Sequence, residues 1–218
     1  MNKWKNIFWK NIYTYTNLII LKYLKENEYQ DIYIRNAIDK FNYSGKEKIK
    51  RKEYEKDGQI PIVDQGKKFI GGYTNNRKAK LNIEEPIVIF GDHTKNKKFI
   101  DFPFAMGADG VKVLKPNKYL YPKFFYYLLF AINLEDKGYS RHFKLLKDQL
   151  ICLPHPENPK KSYEIQKSIV QFLDALEENS INTEKEFFNR TIEKKITDIQ
   201  ETSIKIFDLK EQINQQRT

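Results

Sequence analysis

The stretch from residue 183 to residue 216 constrains the fold most strongly. It contains neither proline nor glycine, and its apolar residues recur at helical spacing: Phe187, Phe188, Ile192, Ile196, Ile199, Ile206, Leu209 and Ile213. Thr183 followed by Glu186 has the pattern of a capping box, which marks the start of a helix. At about 1.5 Å per residue the helix would extend roughly 50 Å, too long to bury its apolar stripe against one small domain. The sequence therefore predicts a long C-terminal helix that packs against a second helix.

The spacing of this stripe also indicates the kind of helix pair. Its intervals are looser than a strict heptad, and Ser203 and Lys210 interrupt the seam. Such a pattern is typical of a short, gently supercoiled coiled coil. The alternative is a surface helix that lies along its own domain. The residues expected at the dimerisation contact are Phe188, Ile192, Ile196, Ile199, Ile206 and Ile213.

The charge of the chain is unevenly distributed. Residues 1–162 carry 31 Lys and Arg against 18 Asp and Glu, a net charge of +13, whereas residues 163–218 carry 8 against 11, a net charge of −3. Positive charge concentrated on one part of a chain indicates a polyanionic partner, and nucleic acid is the usual one. An AT-rich genome is the competing explanation, because its codons favour Lys, Asn, Ile and Tyr without any function attached.

Length and composition set the remaining bounds. A chain of 218 residues with 40% hydrophobic residues can form one domain of ordinary size in addition to the long helix. The single cysteine, Cys152, allows no internal disulfide, and its apolar surroundings favour a packing role. The chain has no apolar run of about 18 residues and no pattern of a signal peptide at its start. We therefore expect a cytoplasmic protein without a membrane partner.

Local patterns divide the chain into three parts. Residues 1–30 predict a helical segment, residues 31–160 a mixed α/β (α+β) domain, and residues 161–218 a helical region. In the middle part we expect a strand, a turn and a second strand ending at Gly71 and Gly72, then a buried strand at 87–90 and strands at 99–104 and 111–114. Helices are predicted at 121–132 and 164–178.

The polar loop at 74–80 is the first candidate for nucleic-acid contact. It reads Thr-Asn-Asn-Arg-Lys-Ala-Lys. Asn and Arg side chains can pair with the edges of adenine and guanine, and Lys neutralises phosphate. Asn is also common in loops for reasons of turn geometry. A basic run at 46–56 is either a solvated face or a neighbour of this loop.

The sequence contains no convincing catalytic motif. Glycine-rich nucleotide loops and the Asn-Pro-Pro-aromatic signature of amino-methyltransferases are absent. His93, which follows Asp92, and His142 suggest a histidine-metal nuclease, but the two histidines are 49 residues apart and lack the spacing of such a site. Asp64, Glu84 and Glu85 are not followed by a well-placed Glu-x-Lys. We expect no catalytic residue, no metal and no cofactor, while a histidine-metal nuclease and a stand-alone DNA- or RNA-binding module stay open as alternatives.

Five blocks of sequence, closed by the long helix, carry a family resemblance. They are Ile60 to Gly66 with Phe69 to Tyr73, Gly91 to Thr94, Ala108 to Lys112, Tyr139 to His142, and Glu164 to Asp174. In this order they resemble the DNA-specificity (S) subunits of type I restriction-modification systems, from about residue 32 to the C terminus. Residues 1–30 match no part of that family.

The resemblance implies a function without catalysis. It implies a target-recognition domain at 31–160 whose loops read double-stranded DNA. It also implies a conserved helical region at 161–218 that docks methyltransferase subunits, with restriction subunits as further candidate partners. The DNA contacts that it places on this chain, together with two neighbouring lysines, are Lys67, Lys68, Tyr73, Asn75, Asn76, Arg77, Lys78, His93, Thr94, Lys95, Lys97, Lys98, Tyr139, Ser140, Arg141 and His142.

One departure from the family leads to a further expectation. Its members ordinarily contain two recognition domains and two helical regions, and this sequence contains one of each. A twofold homodimer with antiparallel helices at 183–216 would restore the pair. A helix of roughly 50 Å would separate the two recognition domains by more than one turn of DNA, about 34–36 Å. The expected target is therefore bipartite and palindromic.

Overall fold

A computed structural model of the chain describes residues 28–134 and 141–182. The predicted N-terminal helical segment at 1–30 lies almost wholly outside these residues. The dimerisation helix at 183–216 and two of the predicted DNA contacts, Tyr139 and Ser140, also lie outside them. The described residues fall into two compact units, one with residues 28–134 and 141–171 and the other with residues 172–182.

The described residues form ten strands, four α-helices and two 3-10 turns. In chain order they are β1 (Tyr29–Tyr33), α1 (Ile34–Ala37), β2 (Ile38–Asp39), a 3-10 turn (Arg51–Glu53), β3 (Ile60–Val63), β4 (Gly72–Thr74), a second 3-10 turn (Arg77–Ala79), β5 (Lys80–Leu81), β6 (Ile87–Gly91), β7 (Lys97–Ile100), β8 (Phe104–Met106), β9 (Val111–Pro116), α2 (Pro122–Ala131), α3 (Phe143–Lys147), β10 (Leu150–Pro154) and α4 (Pro159–Asn182).

The strands are arranged in three sheets. One sheet is antiparallel with the order β2-β9-β6-β7, and a second has the order β4-β3-β8-β5. In the second sheet β3 runs parallel to β8, while β4 and β5 are antiparallel to their neighbours. The third sheet contains only β1 and β10, which are antiparallel. The predicted mixed α+β fold is confirmed.

The main core joins the two four-stranded sheets. Val63 of β3 and Phe104 of β8 share one buried cluster with Ile87 and Ile89 of β6. The opposite face of β3 is also covered, because Ile60 and Ile62 form a second cluster with Ile49, Ala79 and Ala105. Side chains of a strand alternate between its two faces, so a strand buried on both faces reads as a continuous apolar run. This explains the Ile-Pro-Ile-Val sequence of β3.

The helix predicted at 121–132 forms as α2. Pro122 occupies the first turn, where its missing N–H is not needed. Five of its side chains are buried, and the helix packs against β7, β6 and β9. The apolar character of α2 therefore reflects its position on the antiparallel sheet.

Three predicted elements differ from the observed ones. The second strand of the β3–β4 pair begins at Gly72, because residues 65–70 form a loop. The expected strand at 99–104 is divided into β7 and β8, which belong to different sheets. The helix expected at 164–178 begins at Pro159, where Oδ1 of Asn158 accepts a hydrogen bond of 3.1 Å from the Lys161 N–H. Among the described helices, none is long and apolar enough to cross a membrane.

Candidate nucleic-acid interface

Gln65 holds the loop after β3 against the loop after β6. Its side-chain Oε1 accepts a hydrogen bond of 3.2 Å from the His93 N–H. Its backbone carbonyl accepts hydrogen bonds from the Thr94 hydroxyl (2.6 Å) and from Nδ2 of Asn96 (2.9 Å). Two blocks of the sequence that are about 28 residues apart are therefore joined by one residue.

Asp92 joins the loop after β6 to the start of α3. Its carboxylate accepts a hydrogen bond of 2.8 Å from the Phe143 N–H and lies 3.5 Å from Nζ of Lys112. Its backbone carbonyl accepts a hydrogen bond of 2.9 Å from the His142 N–H, and Nδ1 of the His142 ring lies 3.0 Å from the same oxygen. Asp92 is buried, so both its side chain and its backbone have a structural role.

These contacts bring together three segments, residues 65–70, 91–96 and 141–143, which we call the three-loop cluster. Lys67, Lys68, Thr94 and Arg141 are exposed on it, as is the aromatic side chain of Phe69. Asp92 is the one acidic residue within the three segments, and it is buried. The charge that the cluster presents to solvent is therefore positive.

A buried polar group supports the base of this cluster. Nζ of Lys98 donates to the Asp64 carbonyl at 2.6 Å and lies 3.3 Å from Oδ1 of Asp64, which also accepts from the Gly66 N–H at 2.8 Å. Burial and the neighbouring carboxylate of Asp64 raise the pKa of Tyr54 to about 12. Burial lowers the pKa of Lys98, although Asp64 favours its charged form. We conclude that Asp64 and Lys98 anchor the first loop.

Lys97 differs from the exposed lysines of the cluster. It is half-buried, and its Nζ lies 5.1 Å from the centre of the Phe130 ring. Burial, together with the charge of Lys95, lowers the pKa of Lys97 to about 8. A bound phosphate would favour the charged form of this side chain.

The predicted residues at 75–78 lie in a second group. Asn75 accepts a hydrogen bond of 3.2 Å from the Gln59 N–H and donates one of 2.9 Å to Glu55. Asn76 accepts from the Lys78 N–H at 3.0 Å and donates to Glu47 at 2.6 Å. Both asparagines therefore fasten the turn to the segment 46–56, so their amides serve the fold. Their contact with DNA stays a prediction.

The segment 46–56 and the turn 75–78 form a continuous surface, which we call the basic edge. Ile49 is buried and forms an isolated β-bridge with Gly107. Glu55 forms another with Tyr73, which is half-buried. Three exposed carboxylates, those of Glu47, Glu53 and Glu55, stand among eight exposed basic side chains. The basic side chains are Lys46, Lys48, Lys50, Arg51, Lys52, Lys56, Arg77 and Lys78.

The β3–β4 hairpin separates the two groups. Ile60 is paired with Thr74 and Ile62 with Gly72, so the loop 65–70 leaves one end of the hairpin and the turn 75–78 leaves the other. At about 3.3 Å per residue the paired part is shorter than one turn of DNA, which is about 34 Å. The predicted contacts thus form two positive surfaces on one small scaffold.

Two predicted contacts are buried, which corrects the sequence-based assignment. Lys98 is 5% exposed and His142 is 1% exposed, and both are engaged by the backbone of another loop. His93 and Lys95 are half-buried within the three-loop cluster. The sequence placed Lys98 and His142 beside exposed residues, and only the contacts with Asp64 and Asp92 show that they face inwards.

Sequence reasoning missed Phe69 and left the run at 46–56 undecided. The sequence analysis predicted Phe69 in an apolar strand, whereas it is exposed on a loop. The signal for a loop was the short apolar pair Phe69-Ile70 between two lysines and two glycines. The run at 46–56 has lysines at every second position from 46 to 52, with the buried Ile49 among them. Both features belong to the positive surfaces.

The geometry does not favour a histidine-metal site at His93 and His142. Within residues 28–134 and 141–182, the one group of at least three His, Cys or carboxylate side chains with ligand atoms within 4.8 Å is formed by Glu28, His155 and Glu157. The carboxylate of Asp92 is occupied by the Phe143 N–H and Lys112. Cys152, expected to have a packing role, is half-buried, and its thiol donates to Asp31 at 3.1 Å.

One known protein is similar in sequence to a large part of the chain. The chain is 33% identical over 144 residues to the type I restriction enzyme EcoR124I/EcoR124II specificity subunit of Escherichia coli, a match that covers 63% of this chain and 35% of that protein. The chain therefore spans about a third of the length of this curated relative.

Solved structures show the same fold. The S subunit of the type I restriction-modification system from M. genitalium is 16% identical, with a TM-score of 0.51 over 93% of this chain and 52% of that one. A chain from a structure that addresses complex assembly and conformational transition of the type I R-M system is 15% identical, with a TM-score of 0.53 over 86% and 52%.

A family model covers most of the sequence. The model for the type I restriction modification DNA specificity domain matches residues 34–193, which include β3, the three-loop cluster and α4. This match covers more than half of the chain and agrees with the resemblance seen in the five sequence blocks. The chain belongs to the family of type I restriction modification DNA specificity domains.

Proposed function

We propose that this chain reads a short half-site in duplex DNA as the specificity component of a type I restriction-modification complex. The observation that carries the proposal is the joining of three loops by Gln65 and Asp92 into one surface whose exposed charges are basic. A positively charged surface gains affinity for DNA by releasing counterions from the phosphates. The membership of the chain in a family of DNA specificity domains indicates that the ligand is DNA.

The two positive surfaces have different roles in this proposal. On the three-loop cluster Lys67 and Lys68 neutralise phosphates, while the exposed guanidinium of Arg141 can pair with a base edge. The hydroxyl of Thr94 is engaged by Gln65 and Asn96 and supports the loop instead. The basic edge, with Arg77 and Lys78, contacts the backbone farther along the same duplex. Phosphate contacts set the orientation of the protein, and base contacts select the sequence.

The chain acts in this proposal without catalysis of its own. Methyltransferase subunits, and restriction subunits in a cleaving complex, would dock on the helical region at 161–218. The E. coli relative is named as a specificity subunit of a type I restriction enzyme, and one similar structure concerns assembly of a type I R-M system. Recovery of a methyltransferase with the full chain from its native cell tests this part of the proposal.

A second copy of the chain completes the proposed DNA-recognition unit. The apolar stripe at 183–216 would pair with the same stripe of the partner in an antiparallel twofold arrangement. Two recognition surfaces related by a twofold axis read two identical half-sites in inverted orientation, with an unread spacer between them.

Selection of bound duplexes from a random library tests the proposed readout. We expect the full chain to enrich an inverted repeat. Arg141→Ala should weaken binding or relax one position by roughly 1–3 kcal/mol, as is usual for loss of a base contact. Lys118→Ala is the matched control, because Lys118 is exposed beyond the opposite end of β9 and should leave the motif unchanged.

Other outcomes would contradict the proposal in different ways. Enrichment of no motif, with equal affinity for RNA duplexes, would indicate a general nucleic-acid-binding module. Metal-dependent cleavage of plasmid DNA by the purified chain would indicate a nuclease. An unchanged motif for Arg141→Ala would move base reading away from the three-loop cluster.

A further inference from the structure

Phe69 is an exposed aromatic side chain that the fold does not use as core. It is 51% exposed on the loop between β3 and β4, directly after Lys67 and Lys68. Among the described residues Phe69 is the most exposed of the large hydrophobic side chains, and the two lysines directly before it place positive charge beside its ring. The flanking positive charge selects a polyanion as the partner.

The loop that carries Phe69 is firmly held. The Asp64 carboxylate accepts from the Gly66 N–H, and the Gly71 N–H donates to the Ile62 carbonyl at 2.8 Å. The ring of Phe69 also contacts the ring of Phe102 edge to face, with the centroids 5.9 Å apart. Phe69 is therefore presented in a defined position, so its insertion would need little ordering of the loop.

We propose that Phe69 inserts as a wedge between neighbouring base pairs of the bound duplex, while Lys67 and Lys68 neutralise the phosphates beside it. Apolar side chains that enter a base step unstack it and kink the duplex, and the flanking lysines offset the cost of bringing the backbone close. This inference rests on the proposed function, because it describes how the three-loop cluster contacts its DNA.

The test compares two duplexes that share one strand. One duplex is fully paired, and the other has a central two-base mismatch. A mismatch lowers the cost of unstacking, so a wedge binds the mismatched duplex more tightly. We expect the full chain to show this preference, and Phe69→Ala to bind roughly tenfold more weakly and to lose the preference. Because no charge is removed, the salt dependence of its binding should equal that of the wild-type chain.

Tyr119→Ala is the matched control for this variant. Tyr119 is 46% exposed and stands beside Lys118, whose Nζ lies 5.2 Å from its ring centre, but it follows β9 at the end away from the three-loop cluster. Its truncation should change neither the affinity nor the preference. Equal effects of the two variants would overturn the inference.

Phe69→Trp provides an independent readout. A tryptophan that stacks on bases is expected to be quenched by the duplex, beyond the change seen for Trp4 and Trp9 in the wild-type chain. Absence of extra quenching, or an unchanged mismatch preference in Phe69→Ala, would overturn the wedge. Failure of the wild-type chain to bind either duplex would instead contradict the proposed function.

Discussion

At the scale of single residues, Gly110 makes a close contact with Gln65 of the candidate site. Gly110 has a φ of +63°, and a side chain placed on it would meet the amide end of Gln65. That amide is the group that accepts from the His93 N–H. A residue at 110 with a side chain would therefore disturb the joining of two loops of the cluster.

A pair of glycine variants tests this coupling. Gly45→Ala should cost roughly 1–2 kcal/mol of unfolding free energy, because Gly45 has a φ of +73° but open space around it. Gly110→Ala should cost about 1 kcal/mol more, because Gln65 must move and lose its hydrogen bond. Chemical denaturation measures both, and the additional cost should vanish in the background of Gln65→Ala. Equal costs for the two glycines would show that Gln65 does not hold this loop.

At the scale of elements, the turn at 75–78 shows how a structural role can resemble a binding role. Asn75 and Asn76 have the side chains that read adenine, but Glu55, Glu47 and the Lys78 N–H occupy them. The turn is thereby fastened to the segment 46–56, and the two together present a row of cations. The element therefore presents charge to solvent, while its two amides are engaged within the fold.

A comparison of two neighbouring variants separates these roles. Asn76→Ala should lower the unfolding free energy by about 1 kcal/mol, as expected for loss of a capping side chain, and leave the selected DNA motif unchanged. Arg77→Ala should leave stability within about 0.5 kcal/mol and weaken binding with a smaller salt dependence. A relaxed motif for Asn76→Ala at unchanged stability would show that this residue reads bases.

At the scale of the whole molecule, the stripe at 183–216 makes the strongest prediction about assembly. We expect a dimer by light scattering at micromolar concentration, because a helix of roughly 50 Å needs a partner along its length. Ile196→Lys should shift the population towards monomer, since it places a charge in the predicted seam. Lys194→Glu, on the same segment but off the stripe, is the control. A strict monomer would remove the palindromic target from the proposal.

The sequence by itself determined those features that depend on short runs of residues. The buried strand at Ile87 to Phe90 and the helix at 121–132 could be predicted because periodicity and flanking turn residues are local signals. The family could be identified because its blocks keep their order along the chain, as the match over residues 34–193 confirms. The dimer and its palindromic target stay predictions.

Only the tertiary structure decided which side chains of the candidate site face solvent. Lys98 and His142 look like binding residues in the sequence, but their partners Asp64 and Asp92 lie 34 and 50 residues away. Phe69 looks like part of a strand and is exposed at the end of a hairpin. The burial of a side chain depends on contacts between segments that are distant in the sequence. The sequence of a loop alone does not show which of its side chains make such contacts. For this reason the sequence indicated the loops, and the packing of Gln65 and Asp92 decided which of their residues face solvent.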